Sequence, residues 1–164
     1  MILVTGGTGV IGSGLLRLLS QAGVGARALA RNPQKAQKLP GITWVAGDLS
    51  RPETLTTAFQ GVKTLYLNTS YYEGMVALQH NAIAAARAAG VTHVVKVSAF
   101  AASDHSRAPI GRWHHQVEKE LQESDQRQSV RDPRRPAIVG RAGVWTTTGG
   151  FRRLSDQSSR SVRT

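Results

Sequence analysis

A run of glycines in the first twelve residues constrains the fold of this chain more than any other feature. The short apolar stretch Ile2-Leu3-Val4 is followed by glycines at positions 6, 7, 9 and 12, and an apolar helical pattern begins directly after them. In such a strand–turn–helix unit, one glycine makes the tight turn, one lets the backbone approach a pyrophosphate, and one lets the helix pack close to the strand. Free N–H groups at the helix N-terminus then face the phosphates. Because the strand and the helix are both present, the run predicts a dinucleotide-binding turn rather than a glycine turn without a ligand.

The pattern of the first 124 residues predicts an α/β fold. Short apolar stretches alternate with amphipathic segments, as in parallel β-α-β units. Right-handed crossovers give a Rossmann-like, doubly wound parallel sheet in the order 3-2-1-4-5, with a ligand at the carboxyl ends of the strands. The predicted strands are 2–5, 24–30, 42–46, 62–67 and 91–97, and the predicted helices are 10–22, 52–59, 74–89 and 112–123.

The alternating pattern stops after residue 124. Residues 126–136 contain two prolines and four arginines, which excludes the interior of a strand, and residues 155–164 are polar and rich in serine and arginine. We therefore divide the chain into an NAD(P)-binding Rossmann domain at 1–124 and an irregular basic tail at 125–164. Two interpretations of the tail stay open, a shifted reading frame of the gene and a genuine divergent tail.

Length and composition narrow the class of protein. A chain of 164 residues is long enough for one domain with its own core. It contains no cysteine, so it has no disulfide framework. No stretch reaches the roughly 18 apolar residues of a membrane span, and the N-terminus lacks the basic segment of a signal peptide. We expect a cytoplasmic protein without a membrane partner.

The distribution of charge argues against a nucleic-acid partner. The chain has a net charge of +11 from 21 Lys and Arg against 10 Asp and Glu. Nine of the cationic side chains, all arginines, lie in the last 40 residues, which contain no recognisable nucleic-acid motif. Non-specific binding of phosphate backbones by this segment is a minor alternative.

The residue after the second predicted strand indicates which dinucleotide the chain binds. Enzymes that use NAD place an acid about 20 residues past the glycines to bind the ribose 2′-OH. Here the position is Arg31, with Arg27 and Lys35 nearby. Because an arginine pairs with a 2′-phosphate and an acid repels it, we favour NADP(H) over NAD(H). Asp48, after the third strand, either accepts a hydrogen bond from the adenine amine or caps a turn.

Polar residues after the fourth and fifth strands are the candidates for chemistry. Thr69 and Ser70 follow the fourth strand, across the switch point from the glycines. Ser98 closes the fifth strand, where its hydroxyl is placed to bind a substrate carbonyl. His114 begins the last helix and is predicted to face the cleft as an acid or base, although a half-buried structural histidine is an alternative. Adjacent His114 and His115 point about 100° apart on a helix, so we predict no metal site.

Five segments resemble the NmrA-like branch of the atypical short-chain dehydrogenase/reductases, which includes NAD(P)H:quinone oxidoreductases. The resemblance covers roughly residues 1–124. It lies in the segments 5–12, 31–33, 47–49, 88–95 and 113–121.

This resemblance implies a Rossmann domain that binds NADP(H). The glycine turn would hold the pyrophosphate, Arg31 the 2′-phosphate, Asp48 and Leu49 the adenine, and Thr69 and Ser70 the nicotinamide side. The implied cofactor residues in the turn are Gly6, Thr8, Gly9, Val10, Ile11 and Gly12.

Two departures separate the chain from its apparent family. Typical short-chain dehydrogenases carry Tyr-x-x-x-Lys on the last helix, whereas this chain has His114-x-x-x-Glu118. Family members also continue into a smaller C-terminal region that forms much of the substrate pocket, so the chain resembles a member truncated after about residue 124. Without a sixth strand, we expect an exposed edge on the fifth strand and self-association.

Three functional interpretations follow from these features. The first is an NADP(H)-binding oxidoreductase that transfers hydride to a small acceptor such as a quinone, for which loss of the tyrosine is not prohibitive. The second is a non-catalytic NADP(H) sensor that regulates a protein partner. The third is a truncated, inactive product.

Overall fold

A computed structural model of the chain describes residues 1–99 and 102–131. Five parallel strands form one sheet in the order β3-β2-β1-β4-β5. This order confirms the predicted doubly wound topology. The strands are β1 Ile2–Val4, β2 Ala26–Ala30, β3 Ile42–Ala46, β4 Thr64–Leu67 and β5 His93–Lys96.

Four α-helices connect and cover the strands. Two short 3₁₀ turns, Pro33–Lys35 and Pro52–Thr54, lie after β2 and directly before α2. The helices are α1 Val10–Gln21, α2 Leu55–Phe59, α3 Met75–Ala88 and α4 Pro109–Arg131.

The core is divided between the two faces of the sheet. On one face, Leu16 of α1 packs with Val4 and Ala28, and Trp44 of β3 closes this cluster. On the other face, α2, α3 and α4 cover a larger cluster that includes Leu3, Leu65, Leu67, Phe59, Ile83 and Val117. Because β1 contributes to both clusters, its three residues form the centre of the fold. Full burial of a leucine side chain in these clusters stabilises the folded state by roughly 1.5–3 kcal/mol.

The end of the last helix differs from the prediction. The helix begins at Pro109 and runs to Arg131, so the predicted boundary at 124 falls inside it. Apolar spacing identified the part of the helix whose described side chains, Val117 and Leu121, enter the core. Polar residues continue a helix at little cost. The remainder of the predicted tail, 132–164, lies outside the described residues.

Candidate functional site

Gly6 and Gly9 of the turn between β1 and α1, and Gly12 at the start of α1, have different environments. Gly6 has a φ of +63°, and a Cβ there would lie 2.7 Å from the carbonyl oxygen of Asn68. A Cβ on Gly12 would lie 2.2 Å from the carbonyl oxygen of Gly6. Both positions therefore require glycine for internal reasons. A Cβ on Gly9 would meet only the carbonyl oxygen of Gly6, at 3.4 Å, so the space in front of Gly9 is not filled by the described residues.

The N-terminus of α1 presents uncapped backbone N–H groups. Gly9 is the N-cap residue, and no side chain caps the helix or places a negative charge in its first turn. The first N–H groups of an α-helix have no carbonyl partner within it, and the helix dipole adds a partial positive charge there. Val10 is 90% exposed and Ile11 is 44% exposed. This helix end can accept an anion from the solvent side.

Thr5 joins the carboxyl ends of β1 and β4. Its hydroxyl donates to the carbonyl oxygen of Asn68 at 2.8 Å and accepts the N–H of Asn68 at 2.9 Å. The Thr5 side chain is fully buried. This pair of hydrogen bonds sets the distance between the glycine turn and the loop after β4, which are the two walls of the switch point.

A cleft of about 360 Å³ opens at this edge of the sheet. Its lining comes from the glycine turn and from the residues that follow β2, β3 and β4. The lining residues are Thr5, Gly6, Thr8, Leu29, Ala30, Arg31, Gly47, Asp48, Leu49, Ser50, Asn68, Thr69, Ser70, Tyr72 and Leu78.

Most of the predicted cofactor residues meet in this cleft. Seven of them line it, namely Gly6, Thr8, Arg31, Asp48, Leu49, Thr69 and Ser70. The other four, Gly9, Val10, Ile11 and Gly12, form the adjoining start of α1 and are not part of the lining. The structure therefore brings the predicted residues to one edge of the sheet, while their roles stay predictions.

The basic residues near Arg31 have different environments. Arg31 is exposed on the rim of the cleft. Arg27 was predicted to lie nearby, but its guanidinium donates to the carbonyl oxygens of Ala58 and Gln60, at 2.7 and 2.9 Å. Arg27 therefore satisfies the last carbonyls of α2 and is absent from the lining. Lys35 lies in the 3₁₀ turn after β2 and is also absent from the lining.

Asp48 lines the cleft and also holds a turn. Its carboxylate accepts hydrogen bonds from the N–H and hydroxyl of Ser50, at 2.9 and 2.8 Å. These hydrogen bonds hold the pKa of Asp48 below its usual value, and the charges of Arg31 and Arg51 lower it further. The turn-capping alternative for Asp48 is thus present in the structure, and it leaves the ionised carboxylate in the cleft.

Sequence reasoning missed two amides of α3 that support the cleft. The Nε2 of Gln79 donates to the Thr69 hydroxyl at 2.8 Å, and the Nδ2 of Asn81 donates to the carbonyl oxygen of Leu49 at 2.7 Å. Gln79 is buried, and its Oε1 has no hydrogen-bond partner among the described residues. Polar residues at inward positions of an otherwise apolar, alanine-rich helix were the signal that could have identified them.

The two predicted catalytic residues lie away from the lining of the cleft. His114 is 1% exposed, and its Nδ1 lies 2.7 Å from the Nζ of Lys96 on β5. Ser98 follows β5 by two residues and donates its hydroxyl proton to Glu118 of α4. His114 is absent from the lining of the cleft, because Lys96 and α4 hold its ring in the interior, and its predicted role as an acid or base stays a prediction. The Tyr71 ring packs edge-on against His114, with ring centroids 6.1 Å apart.

Comparison with known proteins assigns this geometry to a family. The family described as NAD(P)H-binding matches residues 6–134 of the chain. The chain belongs to this NAD(P)H-binding family. Its membership agrees with the resemblance to the NmrA-like branch seen in the sequence motifs.

Several oxidoreductases are similar to this family member. NAD(P)H azoreductase of Xenophilus azovorans is 40% identical over 126 residues, covering 76% of this chain and 44% of the azoreductase. Quinone oxidoreductase 2 of Escherichia coli is 39% identical over 129 residues, covering 76% and 45%. The structure of the Escherichia coli NADPH-dependent quinone oxidoreductase in complex with NADPH superposes with a TM-score of 0.68 at 35% identity, covering 76% of this chain and 45% of that chain.

The chain spans a little under half the length of these relatives. The family match at residues 6–134 includes the glycine turn, β2 to β5 and all of α1 to α4. Within the described ranges, no helix combines the length and apolar character needed to cross a membrane.

Proposed function

We propose that this chain binds NADP(H) across the carboxyl ends of β1, β2, β3 and β4, as the cofactor-binding part of a reductase that delivers hydride to a small acceptor such as a quinone. The observation that carries the proposal is the position of Arg31. A guanidinium stands at the end of β2, on the rim of the cleft, where an NAD-specific site would carry an acid.

The shape of the glycine turn fits the cofactor. The uncapped start of α1 and the open space before Gly9 provide a cradle for the pyrophosphate, because only a hydrogen atom projects from that residue. The backbone from Gly6 to Gly12 would hold the phosphates and Arg31 the 2′-phosphate. Asp48 and Leu49 would flank the adenine, and Thr69 and Ser70 would approach the nicotinamide ribose. When bound, the reduced nicotinamide supplies the hydride.

The relatives favour turnover over sensing. The azoreductase and the quinone oxidoreductase are both named for reductions of small molecules. The predicted regulatory protein partner and the predicted self-association have no support from these comparisons. A small-molecule acceptor and a cytoplasmic location complete the proposal, the latter supported by the lack of cysteine.

Calorimetric titration of the full chain with NADPH and with NADH tests the cofactor assignment. Replacing Arg31→Asp should weaken NADPH binding by about 10- to 100-fold, since it removes a charge-assisted hydrogen bond and adds a repulsive carboxylate. NADH affinity should change little. The matched control is Arg51→Asp, because Arg51 also acts on Asp48 but is not part of the cleft lining. Equal NADPH affinity in wild type and Arg31→Asp would remove Arg31 from the site.

Oxidation of NADPH in the presence of a naphthoquinone tests turnover. A reductase consumes NADPH only when the quinone is present. Stoichiometric NADPH binding without quinone-dependent oxidation would contradict the reductase assignment and favour the sensor. Failure to bind either dinucleotide would overturn the proposal.

A further inference from the structure

Four polar side chains form a buried cluster between β5 and α4. Lys96 is the last residue of β5, and Ser98 follows the strand. His114 and Glu118 lie one turn apart on α4. The Lys96 side chain is fully buried, and Glu118 and His114 are 2% and 1% exposed. Burial of so many polar groups costs free energy unless their hydrogen bonds are arranged in detail.

The hydrogen bonds of the cluster determine the tautomer of His114. The Nζ of Lys96 lies 2.7 Å from the Nδ1 of His114 and donates to the carbonyl oxygen of Val97 at 3.2 Å. An ammonium group has donors and no acceptor, so Nδ1 must be the unprotonated nitrogen. The proton of the neutral ring therefore sits on Nε2. That atom is buried and has no hydrogen-bond partner among the described residues.

The charge states agree with this arrangement. Burial, together with the Lys96 charge, lowers the pKa of His114 to about 4, so the ring is neutral at pH 7. Burial also lowers the pKa of Lys96 to about 8, opposed by the carboxylate of Glu118, so Lys96 is mostly protonated at pH 7. The titratable groups that face Lys96 are His114 and Glu118 of α4, and Tyr71 of the β4–α3 loop faces His114.

Ser98 uses its proton inside the cluster. Its hydroxyl donates to Glu118, whose Oε1 also lies 3.9 Å from the Nζ of Lys96. A hydroxyl has one proton, so Ser98 in this arrangement does not also donate to a substrate carbonyl. The Nε2–H of His114 is thus the donor that the cluster leaves unused.

Tyr71 packs against His114 from the loop that borders the cleft. Its ring packs against His114 and is 57% exposed, and its neighbours Ser70 and Tyr72 line the cleft. The carboxyl ends of β4 and β5 are adjacent in the sheet, so the cluster and the cleft share one edge. An exposed side chain on a loop is the least costly part of this wall to displace.

We propose that Lys96 is a positioning residue that locks His114 in the Nε2–H tautomer, so that this N–H becomes the donor to the carbonyl oxygen of the acceptor once the Tyr71 ring is displaced. This inference deepens the proposed function and rests on it. It assigns Lys96 and Glu118 to the reaction and makes Ser98 a positioning residue rather than the donor.

The protons balance in this scheme. The acceptor gains a hydride at carbon and a proton at oxygen. The proton leaves the Nε2 of His114 while the Nζ of Lys96 gives a proton to Nδ1. The ring is then the Nδ1–H tautomer and Lys96 is neutral. The starting state returns when Nδ1 gives its proton back to the Nζ of Lys96 and Nε2 takes a proton from water. A pKa of about 8 suits Lys96 to this exchange near neutral pH.

Long-range ¹H–¹⁵N correlation spectra of the imidazole nitrogens test the lock on the free, full-length chain. The signals of His114 are assigned by their loss in His114→Gln. In the wild type at pH 7, Nδ1 should have the shift of an unprotonated nitrogen and Nε2 the shift of an N–H. An Nδ1–H tautomer, a mixture or an imidazolium would overturn the proposal without involving any cofactor.

Substitutions at two lysines distinguish a specific effect on the His114 tautomer from a general effect on the structure. Lys96→Met should convert His114 to a mixture of tautomers. Lys119→Met, at an exposed position of α4, should leave the tautomer unchanged. If Lys96→Met does not fold, Lys96→Arg, which keeps a cationic donor, should preserve the Nε2–H tautomer. An unlocked ring in a folded Lys96→Arg chain, or a locked ring in a folded Lys96→Met chain, counts against the proposal.

The role toward the acceptor is read in the same spectra, with NADP⁺ and menadione added so that no hydride is transferred. The Nε2–H signal should shift when both are bound, and it should still shift in Ser98→Ala. Tyr71→Ala should bring this proton into several-fold faster exchange with water. A signal that does not move in the ternary mixture, although both ligands bind, overturns the donor role. Failure of NADP⁺ to bind removes the proposed function and the donor role with it, while the tautomer result stands separately.

Discussion

At the residue scale, glycine is required for different reasons at different positions of the β1–α1 turn and the start of α1. Gly6 and Gly12 are required by the protein itself, because a Cβ at either would collide with backbone oxygen atoms. Gly9 has an ordinary φ of −85°, and a Cβ there would meet only the carbonyl oxygen of Gly6 at 3.4 Å, so no described neighbour requires glycine at this position. The folding constraint therefore belongs to Gly6 and Gly12, and the proposed binding constraint to Gly9.

This difference predicts the behaviour of Gly9→Ala. The extended backbone of Gly9 accepts alanine at a cost of about 1 kcal/mol or less, but the new methyl group occupies the pyrophosphate cradle. NADPH affinity measured by calorimetry should fall at least about 10-fold, which corresponds to about 1.4 kcal/mol. Gly14→Ala is the control, because a Cβ there meets nothing within 4 Å and alanine favours the helix. Undiminished NADPH binding by Gly9→Ala would show that the ligand does not approach this residue.

At the element scale, two attachments join neighbouring elements at the carboxyl edge of the sheet. Thr5 ties the end of β1 to the loop after β4, and the Lys96–His114–Glu118–Ser98 cluster ties α4 to β5. Both attachments use buried polar groups at the carboxyl edge of the sheet, where parallel strands end and backbone groups lose their ladder partners.

Replacing Thr5→Val tests the first attachment. The substitution keeps the shape but leaves the N–H and carbonyl of Asn68 without the hydroxyl, and it should lower the free energy of unfolding by about 2 kcal/mol. Thr5→Ser keeps the hydroxyl and should recover most of that loss. Urea unfolding provides the measurement, and equal stability of the valine and serine variants would contradict the role of the hydroxyl.

The second attachment predicts a dependence of stability on pH. The pKa of His114 is lowered to about 4, whereas in the unfolded chain the ring titrates near the ordinary histidine value of 6.5. Between these values the unfolded state binds more protons, so stability falls as pH falls from 6.5 to 4. The contribution of this ring is on the order of 3 kcal/mol at most.

Urea titrations at several pH values isolate this contribution. His114→Gln should flatten the decline of stability between pH 6.5 and 4, and the neighbouring substitution His115→Gln should not. The same slope in wild type and His114→Gln would mean that another group causes the acid sensitivity.

Lys96 affects the free energy of unfolding in the basic range. Because its pKa is lowered to about 8 in the folded chain, stability should rise between pH 8 and 10.5.

At the scale of the whole molecule, a positively charged chain presents a cleft to an anionic ligand. The net charge is +11, and the uncapped end of α1 and Arg31 add local positive potential. Such a field attracts anions over distances of about a Debye length, roughly 10 Å at 0.1 M salt.

The affinity for NADPH should therefore fall several-fold between about 0.05 and 0.5 M NaCl, where screening shortens the Debye length. NADH should show a shallower decline, because it lacks the 2′-phosphate. In Arg31→Asp the two dinucleotides should become more alike. Salt titrations followed by calorimetry provide the comparison, and identical slopes for NADPH and NADH in the wild type would argue against a charged 2′-phosphate subsite.

The sequence predicted the order of the strands and the contents of the cleft better than it predicted the catalytic centre. Glycine spacing and strand–helix alternation are local patterns with few three-dimensional solutions, so the 3-2-1-4-5 sheet and the position of Arg31 at its carboxyl edge followed from them. The predicted helix end at about 123 was wrong, because α4 runs to Arg131 and apolar periodicity does not mark where a polar helix stops. The sequence did not show that Arg27 turns toward the end of α2, because the reach of a long side chain depends on neighbouring elements.

By itself, the sequence determined the doubly wound fold, the glycine turn and the cationic side chain at the end of β2, since each depends on residues close together in the chain. Only the tertiary structure decided the protonation states of the buried polar groups. Lys96 and His114 are 18 residues apart, and only the packing of α4 onto β5 joins them. Their burial lowers the pKa of both groups, and the Nε2 of His114 has no hydrogen-bond partner within the described ranges. Desolvation and hydrogen-bond geometry are properties of the assembled interior, so local sequence patterns do not reveal them.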